Sequence, residues 1–327
     1  MRPIVCIVDR VYQRSKTEFD AADDLQFISV QGDEAQIARA IEENRACAAV
    51  LSSDKYEDKL YASLPHGGLI ARYGVGHDCV DKAKATENNL FVTITPDTLD
   101  NSVAEHALFL MGFLARKIST SDMAGASKPW KTSTGIELFE STLLVIGCGN
   151  IGRKVAQIAS AGFGMNVLGF DTADLDAGKM LSQYGVQMCL SIEDGLKQAD
   201  FTTLHLPAMD ATRDFVNAGF LSMLKENCVI INTSRGSILD ENALYEKVSE
   251  GRLYAGLDVY KNEPYTPQDS SRDLRTLPNI VMTPHISSST YNASKRMAES
   301  VIRNIRACLA KDYANMDIVN TDIMENL

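Results

Sequence analysis

The sequence predicts an α/β protein built from two doubly wound parallel-sheet domains, and three observations carry that prediction. The chain has 327 residues, more than one ordinary core fills, which points to two domains of roughly 100 to 200 residues each. Short apolar runs alternate with helical segments throughout, the pattern of βαβ units on a parallel sheet. A GxGxxG pattern lies between a strand-like run and a helix-like one, where a dinucleotide-binding turn requires it.

In chain order, "IVCIV" at residues 4–8 is a first strand, since five apolar residues followed by Asp9 and Arg10 are too few for a signal peptide or a membrane span. "EAQIARAIEEN" then reads as a helix, and "AAVLSS", "GGLIARYG" and "LFVTIT" as strands. Pro96 in "TPDTLD" stops the last of these and marks a domain boundary. Residues 101–119 carry Val103, Ala107, Leu108, Leu110, Met111 and Leu114 with few charges, so this helix is expected to be buried on most sides. A second set of strands follows: "TLLVIG", "NVLGFD", "FTTLHLP", "CVIINTS", "YAGLDVY" and "NIVMTP". The helical segment 289–311 closes the chain and is expected to return to the first domain.

Composition narrows the function. With a net charge of −11 and a pI near 5.0, the chain offers no broad cationic face for nucleic acid or an anionic membrane. The seven cysteines are scattered, odd in number and without CxxC spacing, which suits reduced thiols in the cytoplasm and predicts neither a disulfide framework nor a metal site.

The glycines at 147, 149 and 152 have a strand before them, a helix after them and Asp171 at the end of the next strand. Gly147 permits the tight turn, Gly149 lets a pyrophosphate approach the backbone, and Gly152 lets the helix pack closely. The helix N-terminus offers N–H groups to the phosphates. Asp171 can accept both ribose hydroxyls and would repel a 2′-phosphate, and Thr172 and Ala173 supply no cation. NAD is therefore expected rather than NADP.

Ends of parallel strands on the carboxyl side are where such sheets bind ligands, and here they carry His205, Arg235, Asp258 with Glu263, and His285. An isolated arginine is ordinarily a surface residue paired with a carboxylate. Together with a glutamate and a histidine, Arg235 reads as part of a reaction set. Its planar fork suits the carboxylate and adjacent carbonyl of a 2-oxo acid, His285 can give the proton that the reduced carbonyl oxygen needs, and Glu263 can orient that histidine and favour its charged form. Gly236 lets the chain turn away after Arg235. The remaining histidines read as structural: His66 and His77 in glycine-containing turns, and His106 hydrogen-bonded within its helix environment.

These motifs, with "ARYGVGHDCVD", "NSVAEHALFLMGFLAR", "DFTTLHLPAMDATRDFVN" and "LPNIVMTPHIS", resemble the D-isomer-specific 2-hydroxyacid dehydrogenase family over nearly the whole chain. That family includes hydroxypyruvate reductases and phosphoglycerate and D-lactate dehydrogenases. The resemblance implies a Rossmann NAD-binding domain at 101–286, inserted in a flavodoxin-like substrate domain made of 1–100 and 287–327, with the nucleotide domain forming a homodimer. It implies Arg235, Glu263 and His285 as the catalytic set. Around the cofactor it implies Gly147, Gly149, Asn150, Ile151, Gly152, Asp171, His205, Pro207, Thr212, Thr233, Ser234 and Val103, with Asp258 facing the nicotinamide amide. Tyr73, Gly74, Val75 and Gly76 match the loop whose backbone N–H groups bind the substrate carboxylate, and Ser53 is a further substrate candidate.

Departures narrow the choice. Phosphite dehydrogenases carry a lysine where Val75 stands, and formate dehydrogenases a glutamine where Glu263 stands. "FEST" replaces the usual basic residue before the nucleotide fold, and no appended regulatory domain is expected after the last helix. The reaction implied is NAD-dependent interconversion of a small 2-oxo acid and its D-2-hydroxy acid, of the hydroxypyruvate or glyoxylate reductase or 3-phosphoglycerate dehydrogenase type. The competing reading is an NAD(H)-sensing, co-repressor-type binding protein on the same fold. Lys55 and Arg72 are read as solvated surface charges before they are read as holders of an anionic substrate tail. Closure of the domains on hinges near Pro96 and Ile286 is expected to exclude water.

Overall fold

The computed structural model describes residues 2–118 and 134–326, and the chain divides into two compact units. The first comprises Met1–Leu99 and Ser289–Leu327. Its strands are β1 (Ile4–Val8), β2 (Gln26–Val30), β3 (Ala48–Leu51), β4 (Leu69–Arg72) and β5 (Phe91–Thr93), all parallel, in the order β2-β1-β3-β4-β5. The order reverses between β1 and β3, so the sheet is doubly wound.

The C-terminal segment returns to this unit because buried amides pin it there. Helix Tyr291–Leu309 packs against β4, and the fully buried Asn304 donates to Ser300 O at 3.1 Å and accepts from Asp317 N at 2.8 Å. Asn320 accepts from Val92 N at 2.8 Å and donates to Leu90 O at 2.9 Å. An amide in either place meets backbone groups that would otherwise be buried without partners.

The second unit is Asp100–Ser288. Its strands are β6 (Thr142–Ile146), β7 (Asn166–Phe170), β8 (Val186–Met188), β9 (Phe201–Leu204), β10 (Cys228–Asn232), β11 (Leu253–Leu257) and β12 (Ile280–Met282), again all parallel, in the order β12-β11-β10-β9-β6-β7-β8. Alternate residues enter different cores: Leu143, Val145, Val229 and Ile231 join one cluster, and Leu144, Ile146, Ile230 and Leu257 the other. Both faces are thus covered, and a one-residue slip would exchange every side chain between them. At about 1.5–3 kcal/mol per buried aliphatic side chain, the register is strongly specified.

Two strands have no counterpart in the sequence reading, β2 and β8. Each lies at a sheet edge and is only partly buried, so neither needs the apolar run that marks a central strand. The helix expected over 101–119 is Asp100–Ala115 and is largely buried; residue 119 lies outside the described residues. No helix among the described residues is long and apolar enough to cross a membrane.

Candidate active site

The order of the second sheet reverses between β6 and β9, so the chains leaving these strands part and open a crevice. The glycine turn follows β6. A Cβ on Gly147, whose φ is +90°, would lie 2.5 Å from His205 O, and one on Gly152 would lie 2.0 Å from Gly147 O. Both glycines are therefore required by the protein's own packing. Gly149 is different: a Cβ there would meet nothing within 4 Å. No internal contact demands glycine at that position, and a close backbone approach by a ligand is the remaining demand.

Helix Asn150–Phe163 starts immediately after Gly149, without a side-chain cap. Asp171, just past β7, is fixed by two backbone donors, Cys148 N at 2.7 Å and Ala173 N at 2.9 Å. On the other side of the crevice, burial pushes the His205 imidazole down to about 4, so it is neutral at pH 7. Its Nε2 lies 3.0 Å from Thr203 Oγ1. The hydroxyl of Thr212 donates to Pro207 O at 2.6 Å and accepts from Met209 N at 3.0 Å, so it closes its own loop.

Beyond β10, Thr233 is 6% exposed and its buried Oγ1 has no hydrogen-bond partner. A buried orphan hydroxyl is costly unless something completes it. With the open approach at Gly149, it shows that this crevice fits a polar cofactor. Val103 is 4% exposed within its helix.

Arg235 is held by a knot that the sequence reading missed. Asn232, fully buried, accepts from Ser234 N and Ser234 Oγ at 3.0 and 2.8 Å and donates to Arg235 O at 2.9 Å. The guanidinium Nη1 donates to Ser234 O at 2.8 Å. A buried asparagine at a strand end was the available signal, since such residues tie turns. Gly236 needs a different explanation from the one expected: an added Cβ would lie 1.9 Å from Tyr260 C and 2.4 Å from Lys261 N. It is small because another segment crosses it.

That crossing segment leads to Glu263. Its Oε1 accepts from Tyr260 N at 3.0 Å, and its Oε2 accepts from His285 Nδ1 at 2.6 Å. Both side chains are about a third exposed, 33% and 32%. Burial raises the Glu263 carboxyl, but the His285 hydrogen bond and charge, the Tyr260 N–H and the Arg235 charge outweigh it, and the net shift is downward. The pairing leaves Nε2 as the nitrogen of His285 that can serve a substrate.

His285 itself adopts a φ of 52°, and the buried Asp258 holds the turn on both sides of it. Asp258 Oδ1 accepts from Thr283 Oγ1 at 2.6 Å and Ile286 N at 2.8 Å, and Oδ2 accepts from Ser287 N at 2.8 Å. Both oxygens, expected to serve the cofactor side, thus also anchor the turn that carries His285. His106 Nε2 lies 3.0 Å from Thr283 Oγ1, the structural hydrogen bond expected for it.

The other expected substrate residues lie in the first unit. Gly74 has a φ of +140°, while Val75 and Gly76 are partly exposed and Ser53 is exposed. Tyr73 is 5% exposed, and its hydroxyl engages Ser15 Oγ at 2.7 Å and Ser294 O at 3.0 Å, so only its backbone can serve a ligand. Lys55 is exposed. Arg72 corrects the surface-charge reading: it is 8% exposed, bonds Tyr73 O, and lies against Gly74. Among the described residues no cluster of three or more His, Cys, Asp or Glu could hold a metal.

Comparison with known proteins adds three kinds of likeness. Residues 108–287 match the model of the D-isomer specific 2-hydroxyacid dehydrogenase NAD binding domain. A glyoxylate reductase of Thermococcus litoralis is 34% identical over 84% of this chain and 83% of its own length. A hydroxypyruvate reductase of Thermotoga maritima is 38% identical over 72% of this chain and 76% of its own. Among solved structures, the D-lactate dehydrogenase of Aquifex aeolicus, complexed with NAD and lactic acid, has a TM-score of 0.82 at 25% identity, covering 97% of this chain and 99% of that one. These relatives are enzymes, and they do not favour the sensing reading.

Proposed function

We propose, from the premise that this chain belongs to the D-isomer specific 2-hydroxyacid dehydrogenase family, that it reduces glyoxylate and hydroxypyruvate, with NADH preferred over NADPH. The observation that carries the reading is the His285 Nδ1–Glu263 Oε2 pair at 2.6 Å, in a unit whose crevice fits a dinucleotide. NADH, when bound, supplies the hydride that reaches the substrate's carbonyl carbon. Arg235 binds the substrate's carboxylate and carbonyl oxygen through its fork. His285, protonated, gives its Nε2 proton to the carbonyl oxygen as that oxygen gains charge, and Glu263 stabilises the imidazolium and orients the ring.

The nucleotide would lie along the Gly147–Gly152 turn, its ribose on Asp171 and its nicotinamide end near Thr233 and Ser234. Asp171 disfavours a 2′-phosphate, so kcat/KM with NADH is expected to exceed that with NADPH by about tenfold or more. The test is the steady-state rate of reduced-cofactor oxidation with glyoxylate, hydroxypyruvate, pyruvate and phosphohydroxypyruvate, each with both cofactors. Turnover of none of them overturns the reading, and a clear preference for phosphohydroxypyruvate moves the substrate to a phosphorylated one.

A homodimer formed by the second unit fits the exposure of Phe109, at 73%, on a helix whose other large apolar side chains are mostly buried. Light scattering is expected to give twice the chain mass, and Phe109→Glu is expected to shift the population toward monomer. A monomeric native protein would exclude the dimer. The seven cysteines are all free, which suits a reducing compartment such as the cytoplasm.

A further inference from the structure

Glu241 stands at the start of helix Glu241–Ser249, but it does not cap it. Asp240 does, accepting from Asn242 N at 3.0 Å and Ala243 N at 3.1 Å. Glu241 is instead 5% exposed. Its Oε1 accepts from Lys261 N at 2.8 Å, while its Oε2 is buried with no hydrogen-bond partner. Burial raises this carboxyl, the Lys261 N–H and its charge relieve part of that, and the Asp240 and Glu263 charges add smaller rises. A carboxyl serving only the helix dipole would do as well in water, where it costs far less.

The residue it grips explains the burial. Lys261 N lies in the segment that crosses Gly236 at backbone contact, and Tyr260 N, one residue earlier, already holds Glu263 Oε1. Beside the Tyr260 hydroxyl on Thr283 O at 2.8 Å and the Lys261 Nζ–Asp214 ion pair, the anchor at Lys261 N therefore helps set the height of this segment over the Arg235 turn and the reach of Glu263 toward His285. We propose that Glu241 is a positioning residue of the reduction: it holds the 260–263 segment by the Lys261 N–H, so that Glu263 meets His285 beside Arg235. The inference deepens the proposed function and rests on the acid/base reading of Glu263 and His285.

Three variants test it. Glu241→Gln keeps an oxygen for Lys261 N, and it is expected to stay within about threefold of the wild-type kcat with an unchanged KM. Glu241→Ala removes the acceptor, and Glu241→Asp keeps the charge at the helix start but is one methylene short. Each is expected to lose roughly 10- to 100-fold in kcat, the scale of an ångström of misplacement, with NADH affinity measured by fluorescence unchanged. In each, KM for the 2-oxo acid should stay within about threefold, because Arg235 still binds the substrate and only the Glu263–His285 contact has shifted. A helix-stabilising role alone would lower thermal stability and leave kcat unmoved.

Should Glu241→Ala fail to fold, Glu241→Asp carries the test. The proposal is overturned if Glu241→Gln falls as far as Glu241→Ala, or if the Asp variant keeps the wild-type kcat. His285→Asn, measured in parallel, separates the two levels. Retained turnover there removes the acid/base reading, whereas its loss beside an undisturbed Glu241→Asp removes only the positioning role.

Discussion

His285→Asn is expected to lower kcat for 2-oxo acid reduction by about 100-fold or more, at least about 2.7 kcal/mol of transition-state stabilisation. Asparagine is the informative replacement because of the backbone. His285 sits at a φ of 52°, in the left-handed region that asparagine tolerates better than most residues. Alanine there would add strain and confuse a catalytic loss with a structural one. Asparagine can hydrogen-bond but cannot deliver a proton, so the variant should bind NADH normally and fail at proton transfer. A kcat within threefold of the native enzyme would remove His285 from the mechanism.

The pH behaviour of the pair reflects the lowered Glu263 carboxyl. A carboxyl whose folded pKa lies below its unfolded value contributes stability that is fully present above the unfolded value. That contribution is lost as the pH falls through the folded one. Because both side chains are a third exposed, solvent screens the pair and the contribution is modest. Its main effect is on geometry: ionised Glu263 holds Nδ1 of His285 and leaves Nε2 for the substrate.

The second large effect is expected at Arg235. Arg235→Lys keeps one positive charge and discards the fork, so a single ammonium must serve a carboxylate and a carbonyl that lie in one plane. We expect kcat/KM to fall by roughly 100-fold or more, about 3 kcal/mol, with kcat reduced as well as KM raised, because the carbonyl contact strengthens as charge develops. An unchanged kcat with only a raised KM would assign Arg235 to substrate binding alone. Unchanged kcat/KM would exclude it from the site. The fold should survive, since Asn232 holds the backbone oxygen of residue 235, which lysine also has.

The proposed reaction set was legible in the sequence because its members are strand-end residues with distinctive chemistry. Buried strands such as β6 and β10 announce where they stop, and only a few residues stand just beyond each end. Their supports were not legible. Asn232 reads as one more polar residue until the strand end closes on it, and Glu241 reads as an ordinary helix start until Lys261 arrives from twenty residues away. Gly236 looked like a turn residue and proved to be a crossing point, because its constraint comes from Tyr260 and Lys261.

By itself, then, the sequence determined the central strands in their chain order, the glycine turn and the residue types that stand just past the strand ends. Those features are local: an apolar run, a glycine spacing, a residue type at the end of a strand. Only the tertiary structure decided that Nδ1 of His285 is the nitrogen given to Glu263, that both oxygens of Asp258 grip the turn around His285, and that Tyr73 turns its hydroxyl into its own unit. It also decided that Arg72 is buried. Each of these depends on which strand lies beside which and in what register, and residues twenty or two hundred positions apart meet only once the sheets have formed.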